Sequence, residues 1–456
     1  MSADGSVHAR FDRFVDRAPA AERRLRTPAV AAAPRAAAQA RTPQVLQALL
    51  ATGQIDQATH DRALAAFRRA SELARKLGGA RAAALRGVVA DLEGMAARGA
   101  VTANRLPALV ETLERNSEWW STGPLLSSGA RVSFAGSGLV WQHYPGHGIQ
   151  IQWLGTWGKA NGLWATEGQE TAFANLVAES VSLAANRAGG IGFEYLFPFD
   201  GGTPPWVSGL AQGTALTALV RAGLKLKDST WYDAARQAIG IFRVPPPEGI
   251  AQRTAAGTHY LQYSFAPKLH ILNGFIQSLN GVFDYAKVLD DEEGRRLFAA
   301  GRAEAAAELP KYDTGGWSRY SEYTESSLHY HDVLRGFLAT LCTRLQRAKQ
   351  ADDPFCHYAA EFTLDLTRDP VIALGARGTL RARQGARVRF TIDKPGTVTL
   401  VIRRGTFTHR AVVPVRSGAH SFGWRPPAPG TYAVSISATD YAGNASTVTS
   451  SATVGR

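Results

Sequence analysis

The chain changes its hydrophobic rhythm three times. Over residues 43–118 apolar positions recur every three and four, in "VLQALL", "ATHDRALAAFRRASELARKL", "ARAAALRGVVADLEGMAA" and "NRLPALVETLERN". That spacing, broken by Gly-containing turns, predicts a small helical module. Over 119–165 the pattern gives way to Gly and aromatics, and "GIQIQWL" alternates. Short strands and a hairpin attached to the following helices are expected there. From 166 to 368 the helical period returns as repeated pairs: an apolar helix, a charged turn, then a second helix. Gln212, Asn273 and His331 open comparable helices, 61 and 58 residues apart. Stacked pairs of this kind close into an (α/α) toroid whose inner helices start at one cavity. From 370 to 456 the period is two, as in "RVRFTID", "GTVTLVIRR" and "GTYAVSISATD". Six or seven short strands between Gly and Pro turns predict an immunoglobulin-like β-sandwich. Residues 1–42, rich in Ala, Arg and Pro, read as a disordered tail or linker. The expected fold class is therefore multidomain α+β.

Composition narrows the partners. The chain has 456 residues and is 45% hydrophobic, but no apolar run approaches the ~20 residues of a membrane span. Residues 1–30 carry charge and no apolar h-region, so no secretory signal is expected within them. An extracellular or cell-surface location would need a signal upstream; otherwise a cytoplasmic one is expected. The net charge is +13 and uneven: residues 361–456 hold 13 Lys+Arg against 5 Asp+Glu, while 121–360 are close to neutral. A basic C-terminal part serves solubility or meets an acidic glycan or cell surface. No recognition helix or base-stacking motif points to nucleic acid. Cys342 and Cys356 flank the "KQADDP" turn and are either two buried thiols or a disulfide, which would require an oxidising compartment.

Three segments carry candidate chemistry. "YLFPFDGGTPPWVSGLAQG" holds Phe199, Trp206 and Gln212; it is either a sugar-stacking surface with an amide for hydroxyls or a Pro-rich turn over a buried Trp. "THYLQYSFAPKLHILNGF" holds Gln262, Tyr263 and Asn273; its aromatics either reach a site or pack beneath a loop. "WSRYSEYTESSLHYH" sets Tyr320 before a helix start and Tyr330 on it. A phenol acting as a base needs a cation or donors, and Arg319, Arg335, His329 and His331 are the local candidates. His329 and His331 are spaced i, i+2, which is poor for two ligands on one helix, so no metal is expected.

These segments resemble the C-terminal domain of the glucuronyl C5-epimerases. The likeness rests on "PPWVSGLAQG" (204–213), "HYLQYSFAPKLHILNGF" (259–275), "YDTG" (312–315) and "YSEYTESSLHYHDVL" (320–334), and extends weakly to "VWQHYPGHGIQIQWLGTWGKANGL". The resemblance implies an (α/α) toroid beside β-structure and cofactor-free epimerisation of glucuronate to iduronate within an acidic polysaccharide. It implies Tyr330, Tyr263 and Tyr320 as the proton-transfer groups and Tyr144 as a further phenol. Trp206, Gln212, Gln262, Asn273, Arg319, His331 and Arg335 are the expected substrate contacts. Two positions depart from the family pattern: Gln262 stands where it has Glu, and Tyr323 where it has Arg. A polysaccharide lyase sharing the first step and a non-catalytic glycan-binding cell-surface protein are the alternatives, and a homodimer is left open.

Overall fold

The computed structural model describes residues 41–375 and 380–456. The linker expected over 1–42 lies, up to residue 40, outside the described residues. Helices dominate as far as residue 365 and strands thereafter. The described residues divide into two compact units, the first comprising 41–270 with 277–304, the second 271–276 with 305–375 and 380–456. Among the described residues, no helix is long and apolar enough to cross a membrane.

The first unit opens with α1 (Thr42–Ala51), α2 (Gln57–Lys76), α3 (Gly79–Ala97) and α4 (Leu106–Thr122). The Asp56 side chain caps α2 by accepting from the Thr59 amide, satisfying a donor the helix leaves orphaned. Ala63, Ala66, Ala70 and Ala74 form its buried stripe, the three-and-four spacing of one helix face. A three-stranded antiparallel sheet follows, β1 (Arg131–Val132), β2 (Trp141–Tyr144) and β3 (Gly148–Ile151), with β2 central. Buried Asn116 of α4 grips β3 by both backbone groups of Ile149, at 2.8 and 2.6 Å. Gly148 sits at φ +67°, and a Cβ there would fall 2.4 Å from Val88 and 2.5 Å from Asn116, so only glycine lets the strand come this close.

Next come α5 (Trp153–Trp164), α6 (Glu170–Ser182), the hairpin β4 (Ala185–Arg187) and β5 (Gly190–Gly192), α7 (Gly209–Leu226), α8 (Thr230–Ala238) and the hairpin β6 (Ala251–Arg253) and β7 (Thr258–Tyr260). Helices α9 (Leu272–Leu289) and α10 (Glu292–Glu308) run across the division between units. At Gly281 on α9 a Cβ would lie 2.0 Å from the Gly213 carbonyl of α7, so these two helices touch backbone to backbone.

Glu194 is the polar centre of the first unit. Its carboxylate is 4% exposed and accepts from Arg105 at 2.6 and 3.0 Å and from Arg187 at 2.6 Å. Arg187 spends its other donors on the carbonyls of Pro247, Glu248 and Pro205. Buried charge is tolerated here because both cations and the surrounding carbonyls satisfy it.

The second unit contains the hairpin β8 (Arg319–Ser321) and β9 (Thr324–Glu325), then α11 (Leu328–Arg347) and α12 (Phe355–Asp365). Cys342 and Cys356 are joined in a disulfide, closing the α11–α12 pair across 14 residues. The strands are β10 (Ile372–Leu374), β11 (Leu380–Arg381), β12 (Ala386–Ile392), β13 (Gly396–Arg404), β14 (Phe407–Val415), β15 (Gly418–Trp424), β16 (Gly430–Asp440) and β17 (Ala445–Gly455). They form one sheet ordered β10-β12-β15 and another ordered β11-β17-β16-β13-β14. Val388, Phe390 and Phe422 of the first share one buried core with Leu400, Tyr432 and Ile436 of the second. Strict alternation in β12 and β16 sends every second side chain into that core, as the period-two pattern requires.

Lys394, on the β12–β13 turn, is 1% exposed. Its ammonium donates to the Asp365 and Arg368 carbonyls at the end of α12 and to Asp440 at 3.1 Å. A cation at a helix C-terminus meets the negative end of the helix dipole.

The disulfide limits the unfolded chain, and closing a loop of this length contributes about 3 kcal/mol. The double variant Cys342→Ser/Cys356→Ser is expected to lose about 2–3 kcal/mol of unfolding free energy. Urea denaturation under non-reducing conditions checks this; an unchanged midpoint would contradict it.

Candidate functional site

In the first unit the expected aromatic residues gather into one cluster. Residues 195–206 fold back on themselves, with Tyr195 and Trp206 exchanging backbone hydrogen bonds. Their rings stack at 4.2 Å and 9°, and the Trp206 indole N–H donates to the Phe197 carbonyl at 2.9 Å. Phe199 and Trp206 each lie 5.8 Å from the Tyr263 ring. Phe265 stacks on Tyr263 at 5.4 Å. Tyr144, at the end of β2, joins through Phe197 at 4.5 Å. A Cβ at Gly202 would fall 2.4 Å from the Phe265 ring, so the cluster closes over a glycine.

Trp206 is 4% exposed and covered by Tyr195 on one face, so it works as the cluster's keystone. Half-buried Tyr263 and Tyr144 are the phenols at its margin. Gln262 donates its amide to the Tyr263 hydroxyl oxygen at 3.0 Å, the polarity needed by an oxygen that takes on negative charge. Gln262 Oε1 is itself buried, with no hydrogen-bond partner among the described residues.

Gln212 fills a different role from the one expected. It is 1% exposed and its amide donates to the Ile191 and Ala238 carbonyls, both at 3.0 Å, while accepting from the Phe193 amide at 3.3 Å. It straps three segments together and has no N–H left for a ligand.

In the second unit the opening of α11 brings two phenols together. Ser327 caps the helix by accepting from the Tyr330 amide. The Tyr320 and Tyr330 rings lie 4.5 Å apart at 42°, with His329 5.5 Å from Tyr330. Tyr320 is 5% exposed, Tyr330 half-buried and Arg319 half-buried beside them. Arg335 donates twice to Asp332, at 2.9 and 2.7 Å. Asn273 is 3% exposed and accepts from the Gly274 amide. Tyr323 is 54% exposed.

His331 is fully buried and stacked on Trp317 at 3.9 Å and 13°. Its Nδ1 accepts from the Ser318 amide at 3.1 Å, and Nε2 lies 2.8 Å from the Phe362 carbonyl. Those partners assign the proton to Nε2. Burial pulls its pKa down to about 4, with the Phe362 carbonyl opposing and Lys394 adding to the effect. A neutral ring with both nitrogens committed fastens the helix start and offers no ligand or proton donor. Asp365 on α12 is pushed the other way, to about 6, chiefly by burial, with Lys394 opposing. The disulfide takes both thiols out of the group that Cys342 and Cys356 form with Asp352.

Ser318, Ser327, Phe197 and Phe265 matter to these clusters and escape a search for reactive side chains. The alternating aromatics of "YLFPF" and "YSF" are the signal that marks the last two.

Residues 187–353 match the family model described as D-glucuronyl C5-epimerase C-terminus. The match covers little more than a third of the chain. A D-glucuronyl C5-epimerase of Caenorhabditis elegans is 29% identical over 130 residues, 26% of this chain and 21% of the worm protein. An uncharacterized protein of Methanocaldococcus jannaschii is 26% identical over 133 residues, 28% of this chain and 43% of that one. The chain thus spans less than half the length of these curated relatives. Solved structures aligned with it include an unsaturated glucuronyl hydrolase specific for heparin, at 12% identity and TM-score 0.32, covering 51% of this chain and 79% of that one. The endo-β-1,4-glucanase CMCax of Acetobacter xylinum aligns at 12% identity and TM-score 0.33, covering 47% and 72%. Both tyrosines of the α11 opening, Tyr263 and Trp206 lie inside the epimerase-family segment.

The two titrating groups of the second unit oppose one another. Between pH 6.5 and about 4 the unfolded chain protonates His331 and the folded one does not, so acid removes stability. Between about 6 and 3.8 the folded chain protonates Asp365 first, so acid adds stability. Asp365→Asn removes only the second effect. Its unfolding free energy from urea denaturation is expected to fall more than the parent's as pH drops from 6.5 to 4, by on the order of 2 kcal/mol; parallel curves would contradict this.

Proposed function

We propose that the protein is a uronic-acid C5-epimerase that acts on an acidic polysaccharide without a cofactor, its repeated helix pairs forming an (α/α) toroid and its C-terminal strands an immunoglobulin-like sandwich. The observation that carries the reading is the Tyr320–Tyr330 pair at the opening of α11, inside the epimerase-family segment. The hydrogen at carbon 5 of a glucuronate is α to the carboxylate and weakly acidic. Epimerisation removes it to a base, holds the enolate-like intermediate, and returns a proton on the opposite face. No bond to a neighbouring sugar breaks, and the proton count is unchanged.

Phenols suit both halves of that exchange, since a phenolate accepts the proton and a phenol delivers one. Tyr330 is assigned one transfer, with Tyr320 as its close partner. Tyr263 is assigned the other, with Gln262 donating to its oxygen. Arg319 is the cation proposed to meet the uronate carboxylate. Tyr144 is the further phenol, and Trp206 acts by holding the ring cluster from within. Gln212, His331 and Arg335, engaged as described, support the scaffold in this reading.

One observation favours a second reading, a non-catalytic glycan-binding protein. Gln262, in the place of the family's Glu, cannot take up a proton as a carboxylate does.

Incubating the protein with heparosan and other uronate polymers in deuterated water separates these outcomes by NMR. Deuterium entering carbon 5 without chain cleavage is expected. An unsaturated, ultraviolet-absorbing product would mark a lyase instead, and binding without exchange the glycan-binding alternative. Tyr330→Phe, with unchanged circular dichroism, is expected to lower exchange at least about a hundredfold. Undiminished exchange would remove Tyr330 from the mechanism.

A further inference from the structure

We propose that the outward face of the five-stranded sheet is a docking surface for the uronate-bearing polysaccharide, distinct from the tyrosine clusters. The inference rests on the proposed function for the identity of the polymer.

The face is defined by register. Side chains that point away from the core on β13, β14, β16 and β17 line up in rows across the strands. In one row Thr447 lies opposite Ser437, Ser437 opposite Thr399, and Thr399 opposite Val412. Ser437 and Thr447 hydrogen-bond at 2.8 Å across the strands. Along β17 every second residue from Thr447 to Thr453 is Ser or Thr. The result is a flat hydroxyl array, each group able to donate and accept, with exposed Val412 as an apolar spot for the C–H face of a sugar.

Its charge is of one sign. Residues 380–456 hold eleven Lys+Arg and two Asp+Glu. Both carboxylates are committed elsewhere, Asp440 to Lys394 and Asp393 to the Val371 amide. Arg403 and Arg410 are exposed on this face. Arg403 pairs with Thr408 and Val401 with Arg410, which makes the two guanidinium-bearing residues diagonal neighbours about 7–8 Å apart at the backbone. A face that served solvation alone would mix signs. Hydroxyls with arginines and no carboxylate complement a polymer that presents hydroxyls and carboxylates, which guanidinium groups bind in a fork.

The test compares the full-length parent with Arg403→Ser/Arg410→Ser. Binding of long-chain heparosan is measured calorimetrically across a salt series, alongside carbon-5 deuterium exchange on a short heparosan oligosaccharide. The variant is expected to bind the polymer at least about fivefold more weakly with a shallower salt dependence. Exchange on the short oligosaccharide is expected to be unchanged. Equal polymer affinity in parent and variant overturns the proposal, as does tighter parent binding to double-stranded DNA than to heparosan. If the parent shows no exchange but the variant still loses polymer binding, the docking surface stands and the epimerase reading falls.

Discussion

Everything in the first unit leans on a carboxylate that has no access to water. Glu194 lies immediately before the aromatic lobe that starts at Tyr195, and its charge is held by guanidinium groups from two separate segments. Its backbone carbonyl also accepts from the Trp153 indole at 2.7 Å. Removing one cation would leave the other to hold the buried carboxylate alone with part of its hydrogen bonding lost, a cost of up to about 3 kcal/mol. The shared carboxylate therefore ties these segments together. Arg105 at the start of α4, Arg187 of the β4 hairpin and the residue that opens the lobe thus meet at one point.

Much of this was legible from the chain. The three-and-four spacing located the helix pairs, and the period of two located the strands, because a buried face repeats with the geometry of its element. The phenols were legible as well, since Tyr320 and Tyr330 crowd a helix opening where a core would use aliphatic residues. Roles were harder. Gln212 and His331 look from the sequence like groups waiting for a ligand, and each is consumed by backbone partners from segments 13 to 31 residues away. A polar side chain at a helix start satisfies either a substrate or the protein's own amides. Sequence spacing does not distinguish them, because the deciding partner is remote. Trp206 illustrates the same point with an aromatic ring: its face is taken by Tyr195.

The strand region adds a different lesson. Alternation revealed which residues point outward, yet the Ser/Thr rows emerge only when register sets Thr447, Ser437 and Thr399 side by side. Thr suits a strand on propensity alone, so single strands carry no hint of an array. The uneven charge was visible early. The pairing of Lys394 with Asp440 shows in addition that one of the two carboxylates of this region is spent on a buried cation.

Lys394 also bears on how this protein can be cut into working pieces. The rhythm of the sequence invites a scissile point near residue 370, giving a helical fragment free of strands. Such a fragment would abandon the ammonium that neutralises the last carbonyls of α12, strip Tyr441 from the edge of Trp317, and release Ser417 from Glu325 beside the tyrosine hairpin. The strands act as a buttress for the helix opening, and a truncated version would inherit its tyrosines without the masonry that keeps them in place.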